Sequence, residues 1–221
     1  MNRVAITGLG AISAIGNSPS EIFEAALAGK SGVRVATDLA FGSTIPLVAS
    51  ANFESATIVS KRHSVPMDRA TAMALAAARQ AVADAGSALD NSSHRIGIFW
   101  GTGMGGAGTI EGCYRSIFQH NNWRLRPTSV VTGMNNAPAA LISLEFGITG
   151  PSLTFSVACA SSAIAVGEGM RAVRHGLVDV AIVGGSESLL TQGVLAAWSA
   201  LRALASHDRE CPARSCKPFA A

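Results

Sequence analysis

An α/β fold, a mostly parallel sheet covered by helices, is predicted for this 221-residue chain by three observations. Apolar residues make up 48% of it and charged residues only 14%, the balance of strands buried on both faces. Short β-branched runs alternate with longer small-residue segments of helical period. Glycines close several of those segments, where a helix ends most cheaply in the left-handed region. The same composition excludes disorder. No linker is visible, so one domain over 1–221 is expected, and a chain this long buries roughly 70% of its unfolded surface without staples.

Taken in order, residues 3–7 read as a strand running into "GLG". Residues 19–28 read as a helix with Ser18 as N-cap and Gly29 as its stop. The stretch 33–58 is irregular with some strand character. An alanine-rich helix follows over 68–85, stopped by Gly86, then a strand over 95–100 and the glycine-rich "GTGMGGAG". A helix over 136–146 closes at Gly147, a strand covers 152–157, a helix 161–175 and a strand 178–183 running into "GGSES". Residues 189–204 read as helix, and the tail from Ser206 is polar and irregular.

The net charge of +3, with no Lys/Arg run beyond two residues, gives no footprint for nucleic acid. No apolar run approaches the length of a membrane span, and the chain enters its first strand with no secretory apolar region, so a cytoplasmic location is expected. Cys113, Cys159, Cys211 and Cys216 show neither a C-x-x-C nor paired histidines at ligand spacing. Neither a disulfide framework nor a metal site is expected.

Two glycine motifs leave two readings open. Gly101, Gly103 and Gly106 of "GTGMGG" match G-x-G-x-x-G after a strand, yet no acidic residue lies about twenty positions on. "GLGAIS" has Ser13 at the third glycine position. They are either a dinucleotide phosphate loop or tight backbone turns. "GGSES" fails the G-x-S-x-G elbow, because Ser188 stands in the last glycine's place.

Cys159 lies in "FSVACASSAIAVGEGMRAVRHG", between a strand and a small-residue helix. A thiol there is either a small buried hydrophobe or a nucleophile. Unpaired helix N–H groups and the positive end of the macrodipole favour thiolate at that turn. Ala158, Ala160, Ser161 and Ser162 leave room for a substrate to reach sulfur.

These residues also carry a resemblance that runs in order along nearly the whole chain. "VAITGLGAISAIGNS", "LAGKSGV", "MDRATAMALAAARQAVADAG", "RIGIFWGTGMGG", "NNAPAALISLEFGITGPSLTFSVACASS", "DVAIVGGSES", "SALRALAS" and "CKPFAA" resemble successive segments of β-ketoacyl-acyl-carrier-protein synthases, the condensing enzymes of fatty acid and polyketide synthesis. The resemblance implies a thiolase-like fold, of which this chain is the N-terminal half. It implies that Cys159 takes an acyl group from carrier-protein phosphopantetheine, and that decarboxylated malonyl-carrier protein then attacks the thioester. Covalent catalysis of this kind splits one hard carbon–carbon bond formation into two easier steps.

By the same resemblance, Met104 and Asn136 face an acyl pocket. Lys61, Arg62, Arg124 and Arg202, with Arg126 as a weaker candidate, dock an acidic acyl carrier protein. Residues 153–157 supply the strand through which ketosynthases pair, giving a homodimer or a ketosynthase-type heterodimer. No cofactor is implied beyond the phosphopantetheine arm of the substrates. The family's two catalytic histidines, its lysine and a second oxyanion segment belong to its second half. His63, His94, His120, His175 and His207 have neither the "HGTGT" nor the "GHxxGAAG" context. The expectation is therefore a nucleophile-bearing half, inactive in condensation alone. A non-catalytic partner subunit is the alternative, against which Cys159 speaks, since such subunits usually replace the cysteine.

Overall fold

The computed structural model describes residues 2–54, 66–89, 93–206, 208 and 210–217. It divides into two compact units, Met1–Gly10 with Glu54–Ser188 and Ala11–Phe53 with Leu189–Ala221.

The first unit is built on a parallel sheet in the order β4–β3–β5. Central strand β3 (Ile96–Gly101) is buried at all six positions. It pairs with β4 (Ser152–Phe155) in the register Ile98↔Ser152 and with β5 (Val180–Gly185) in the register Ile96↔Val180. The two-residue period of a strand divides its side chains between two cores. Ile96, Ile98 and Trp100 pack with Leu75 and Ala78 of α2 (Arg69–Asp84) and Ile142 of α5 (Ala137–Phe146). Phe99 points the other way, into Ala165 and Ala172 of α6 (Ser161–Arg174). Fully burying a side chain such as Leu75, Ile98 or Ile142 contributes about 1.5–3 kcal/mol. This is the doubly covered sheet that the composition predicts.

Helix boundaries follow capping chemistry. Asp68, 5% exposed, caps α2 by accepting the Ala70 N–H at 3.0 Å. Its other oxygen accepts the N–H and hydroxyl of Thr109 at 2.9 and 2.8 Å, tying α2 to α3 (Ala107–His120). Helix α5 ends at Gly147, φ +66°. Arg79 of α2 meets the almost fully buried Glu145 of α5 at 2.6 Å.

Three differences from the sequence reading have physical causes. Residues 3–7 form no strand: no described strand lies beside them to complete a ladder, and Ile6 is 83% exposed. Helix α3 starts directly from the glycine run with no side-chain cap, so its N-terminus carries no sequence signal. Helix α4 (Ser129–Gly133) has five residues, too few for a period to show.

Where α6 returns to the sheet, Arg95 donates to the carbonyls of Gly176 and Leu177 at 3.0 Å each and to Asp179 at 2.6 and 3.2 Å. The hydrogen bond from Arg95 is the main reason the Asp179 carboxyl sits below the usual aspartate range, against a smaller desolvation effect. A carboxyl lowered in the folded state stabilises above its unfolded value and loses that contribution as pH falls through the folded one. Asp179→Asn is therefore expected to lower the urea midpoint at pH 7, with the gap to wild type closing as the pH drops below about 4. A gap that persists unchanged in acid would show that the charge on Asp179 does not contribute.

The second unit carries α1 (Pro19–Leu27), the antiparallel pair β1 (Val33–Val35) and β2 (Leu47–Ala49), and α7 (Gln192–Ala200). Ser18 caps α1 as expected, through the Glu21 N–H. Its core joins Ala36, Val48 and Leu195. Helix α7 is shorter than the predicted 189–204 because Thr191 caps it and Arg202, at φ +56°, follows its end.

Candidate active site

The turn between β4 and α6 holds Cys159 out from the carboxyl end of the parallel sheet, the edge where open α/β sheets bind ligands. Ala158 adopts φ +46°, a left-handed conformation that costs a non-glycine residue about 1–2 kcal/mol. Ser161, 3% exposed, offsets that cost. Its Oγ accepts the Val157 N–H at 2.8 Å and donates to the Ala158 carbonyl at 2.7 Å. The Ala160 N–H closes onto the Val157 carbonyl at 3.0 Å, and the Ser161 N–H onto that of Ala158 at 3.2 Å. The result is a stapled elbow with an exposed, free Cys159 at the positive end of the α6 dipole. Cys159 is thus exposed in this structure rather than packed into a core.

Glycines let the helix reach the sheet. A Cβ on Gly101 would stand 2.3 Å from the Ser161 carbonyl carbon, and one on Gly185 would stand 2.6 Å from the Ser162 Cβ. Trp100 anchors the floor through Nε1 to Ser186 Oγ at 3.0 Å.

The glycine motifs resolve toward tight turns. Glu187 accepts the N–H groups of Gly103 and Met104 at 2.7 and 3.2 Å, and Thr102 Oγ1 accepts that of Gly105 at 3.1 Å. Two of the loop's donors, the N–H groups of Gly103 and Met104, are thus committed to a carboxylate that would repel a pyrophosphate, and that of Gly105 to a hydroxyl. Gly8 and Gly10 lie against α2, where a Cβ would meet the Ala81 and Ala77 carbonyl oxygens at 2.0 and 1.9 Å.

Of the pocket candidates, Met104 stands half-exposed on the glycine loop, and Asn136 is exposed at the N-terminus of α5. Arg124 and Arg126 are exposed in the first unit and Arg202 in the second, while Lys61 and Arg62 lie outside the described residues. Strand β4 is an edge of the described sheet, with Leu153 49% exposed. Among the described residues no cluster of His, Cys, Asp or Glu has the makings of a metal site, and no helix is long and apolar enough to cross a membrane. Sequence reasoning missed the roles of Ser156, Ser161 and Glu187: Ser161 reads there only as a small neighbour of Cys159, and "GGSES" only as a failed nucleophile motif, because the bonds of Glu187 reach 83 and 84 positions back.

Comparison with known proteins shows which family the chain belongs to. Residues 1–221 match the family described as Beta-ketoacyl synthase, N-terminal domain. The chain belongs to the β-ketoacyl synthase family. This ketosynthase-family chain is 34% identical over 220 residues to 3-oxoacyl-(acyl-carrier-protein) synthase 2 of Staphylococcus aureus, covering 98% of itself and 53% of that protein. It is also 34% identical to Nodulation protein E of Rhizobium leguminosarum bv. trifolii, again covering 53% of the relative. A crystal structure of a β-ketoacyl synthase from Burkholderia phymatum superposes with a TM-score of 0.85 at 28% identity, over 100% of this chain and 55% of that one. The chain thus spans about half the length of the curated relatives it matches. Its architecture is that of the N-terminal half of the thiolase-like fold, as the sequence resemblance implies.

Proposed function

We propose that this chain carries the nucleophile of a β-ketoacyl-acyl-carrier-protein synthase. The observation that carries the reading is the exposed Cys159 on its stapled elbow, in a chain matching the family from end to end. The Cys159 sulfur attacks the carbonyl of an acyl-phosphopantetheine thioester, and the pantetheine thiolate leaves and takes up a proton. Malonyl-carrier protein then loses CO₂, and the resulting carbanion attacks the Cys159 thioester, expelling the cysteine thiolate and giving β-ketoacyl-carrier protein. The backbone N–H of Cys159 serves as one oxyanion donor; lack of a second costs on the order of 10²–10³ in rate.

Met104 and Asn136 line the acyl side, and Lys61, Arg62, Arg124 and Arg202 attract an acidic carrier protein in a salt-dependent way. No cofactor is needed beyond the phosphopantetheine on the substrates. The β4 edge, apolar and uncovered, is the surface for pairing with a second ketosynthase-type subunit, and the working location is the cytoplasm. A ketosynthase/chain length factor structure is among the similar folds, with a TM-score of 0.75 at 27% identity.

The test is transfer from an acyl-carrier protein to the 221-residue chain, followed by peptide mass mapping. The acyl mass is expected on Cys159 and absent from Cys159→Ala. No β-ketoacyl product is expected when malonyl-carrier protein is added, because residues 1–221 hold no histidine in the family's catalytic context. Acyl groups spread over Cys113, Cys211 and Cys216 as heavily as on Cys159 would overturn the assignment of the nucleophile. Condensation by this chain would overturn the need for those histidines.

A further inference from the structure

The peptide unit joining Gly103 to Met104 is held at both ends. Its carbonyl accepts from Ser156 Oγ at 3.2 Å, and Ser156 lies three positions before Cys159. Its N–H, that of Met104, donates to Glu187 Oε2 at 3.2 Å. The same oxygen takes the Gly103 N–H at 2.7 Å, and Thr102 Oγ1 donates to Oε1 at 3.4 Å. Asn135 Nδ2 extends the chain of contacts to Ser156 Oγ at 3.5 Å. The two anchors come from the ends of the two outer strands, Ser156 just past β4 and Glu187 just past β5. One peptide plane fixed from opposite sides cannot rotate without breaking both holds, and the carboxylate bond is of the stronger, charge-assisted kind. Met104 is the residue whose direction that plane decides.

We propose that Glu187 is a positioning residue: by locking the Gly103–Met104 peptide against Ser156, it sets where the Met104 side chain stands in the path of a chain delivered to Cys159, and so tunes which chain lengths the site accepts. The identity of that occupant, an acyl chain, rests on the function proposed above. Both loop N–H groups converge on one oxygen, Oε2. The single carbonyl oxygen of glutamine can therefore take both, and its amide can turn toward Thr102. Charge is secondary here; the acceptor is what the loop needs.

The experiment alkylates the full 221-residue chain with N-ethyl and N-dodecyl iodoacetamide and reads the rates at Cys159 by peptide mapping. The ratio of long-probe to short-probe rate is the measurement. Glu187→Ala is expected to change that ratio by at least about fivefold, the equivalent of one ordinary hydrogen bond, while the short-probe rate stays within about twofold. Glu187→Gln is expected to restore the wild-type ratio to within about twofold, which a merely structural loss at this position would not do. Ser156→Ala frees the other end of the same peptide and is expected to move the ratio in the same direction as Glu187→Ala. An unchanged ratio in Glu187→Ala overturns the proposal, as does a glutamine variant displaced as far as alanine. Should Glu187→Ala lose its circular dichroism, an unchanged ratio in Ser156→Ala overturns it instead. Alkylation needs neither carrier protein nor condensation. Failure of the proposed function shows separately, as wild-type chain that takes no acyl group from the thioester.

Discussion

Gly101→Ala is expected to destabilise the first unit by about 3 kcal/mol, the upper end of the usual cost of overpacking. The new Cβ would stand 2.3 Å from the Ser161 carbonyl carbon and 2.4 Å from the Ser161 oxygen and the Ser162 nitrogen. All three are backbone atoms of the first turn of α6, so no rotamer change relieves the clash. Either β3 withdraws from its two neighbours or α6 lifts off the sheet, and both abandon the core around Phe99 and Ala165. The control is Gly112→Ala in α3, where a Cβ meets nothing within 4 Å. That change should stabilise by about 0.5–1 kcal/mol, as alanine does in an open helix position. Urea titrations of the two variants read the contrast directly, and equal midpoints would mean that helix and sheet are not in this close contact.

Ser161→Ala is the second large effect, and it falls on the elbow itself. The hydroxyl makes two bonds in a site only 3% exposed, one to the Val157 N–H and one to the Ala158 carbonyl. Losing both costs about 2 kcal/mol in stability. It also frees Ala158 to leave the left-handed region and draw Cys159 with it. Misplacing a reacting atom by about 1 Å can cost on the order of 10²-fold, so acyl transfer to Cys159 should fall by at least about tenfold. Adding Ala158→Gly to Ser161→Ala should recover about 1 kcal/mol, because glycine occupies φ +46° without the penalty. If the double variant gains nothing over Ser161→Ala, the serine does not act by holding Ala158.

Much of this was legible in the linear chain, for reasons that differ along it. Helix α2 was readable because its cap, alanine-rich body and terminal glycine all lie within one segment. Strand β3 was readable because a strand buried on both faces has to be apolar throughout. Cys159 was singled out by its place between a strand and a helix, and the ordered family motifs then pointed to ketosynthase chemistry. Residues 3–7 misled for the opposite reason: β-branched residues announce a propensity, while a strand exists only when a neighbour completes its ladder.

What the sequence determined by itself is therefore whatever depends on neighbours in the chain: the periodicity of the helices, their caps, the apolar strands and the position of the thiol. Only the tertiary structure decided that Ala158 is strained, that Ser161 staples it and that Glu187 holds the glycine loop. It also decided that the glycines at 101 and 185 serve the close packing of α6 on the sheet. A hydrogen bond or a steric limit between residues 84 positions apart leaves no pattern of spacing in the chain, because it is set by where the sheet brings two strand ends together.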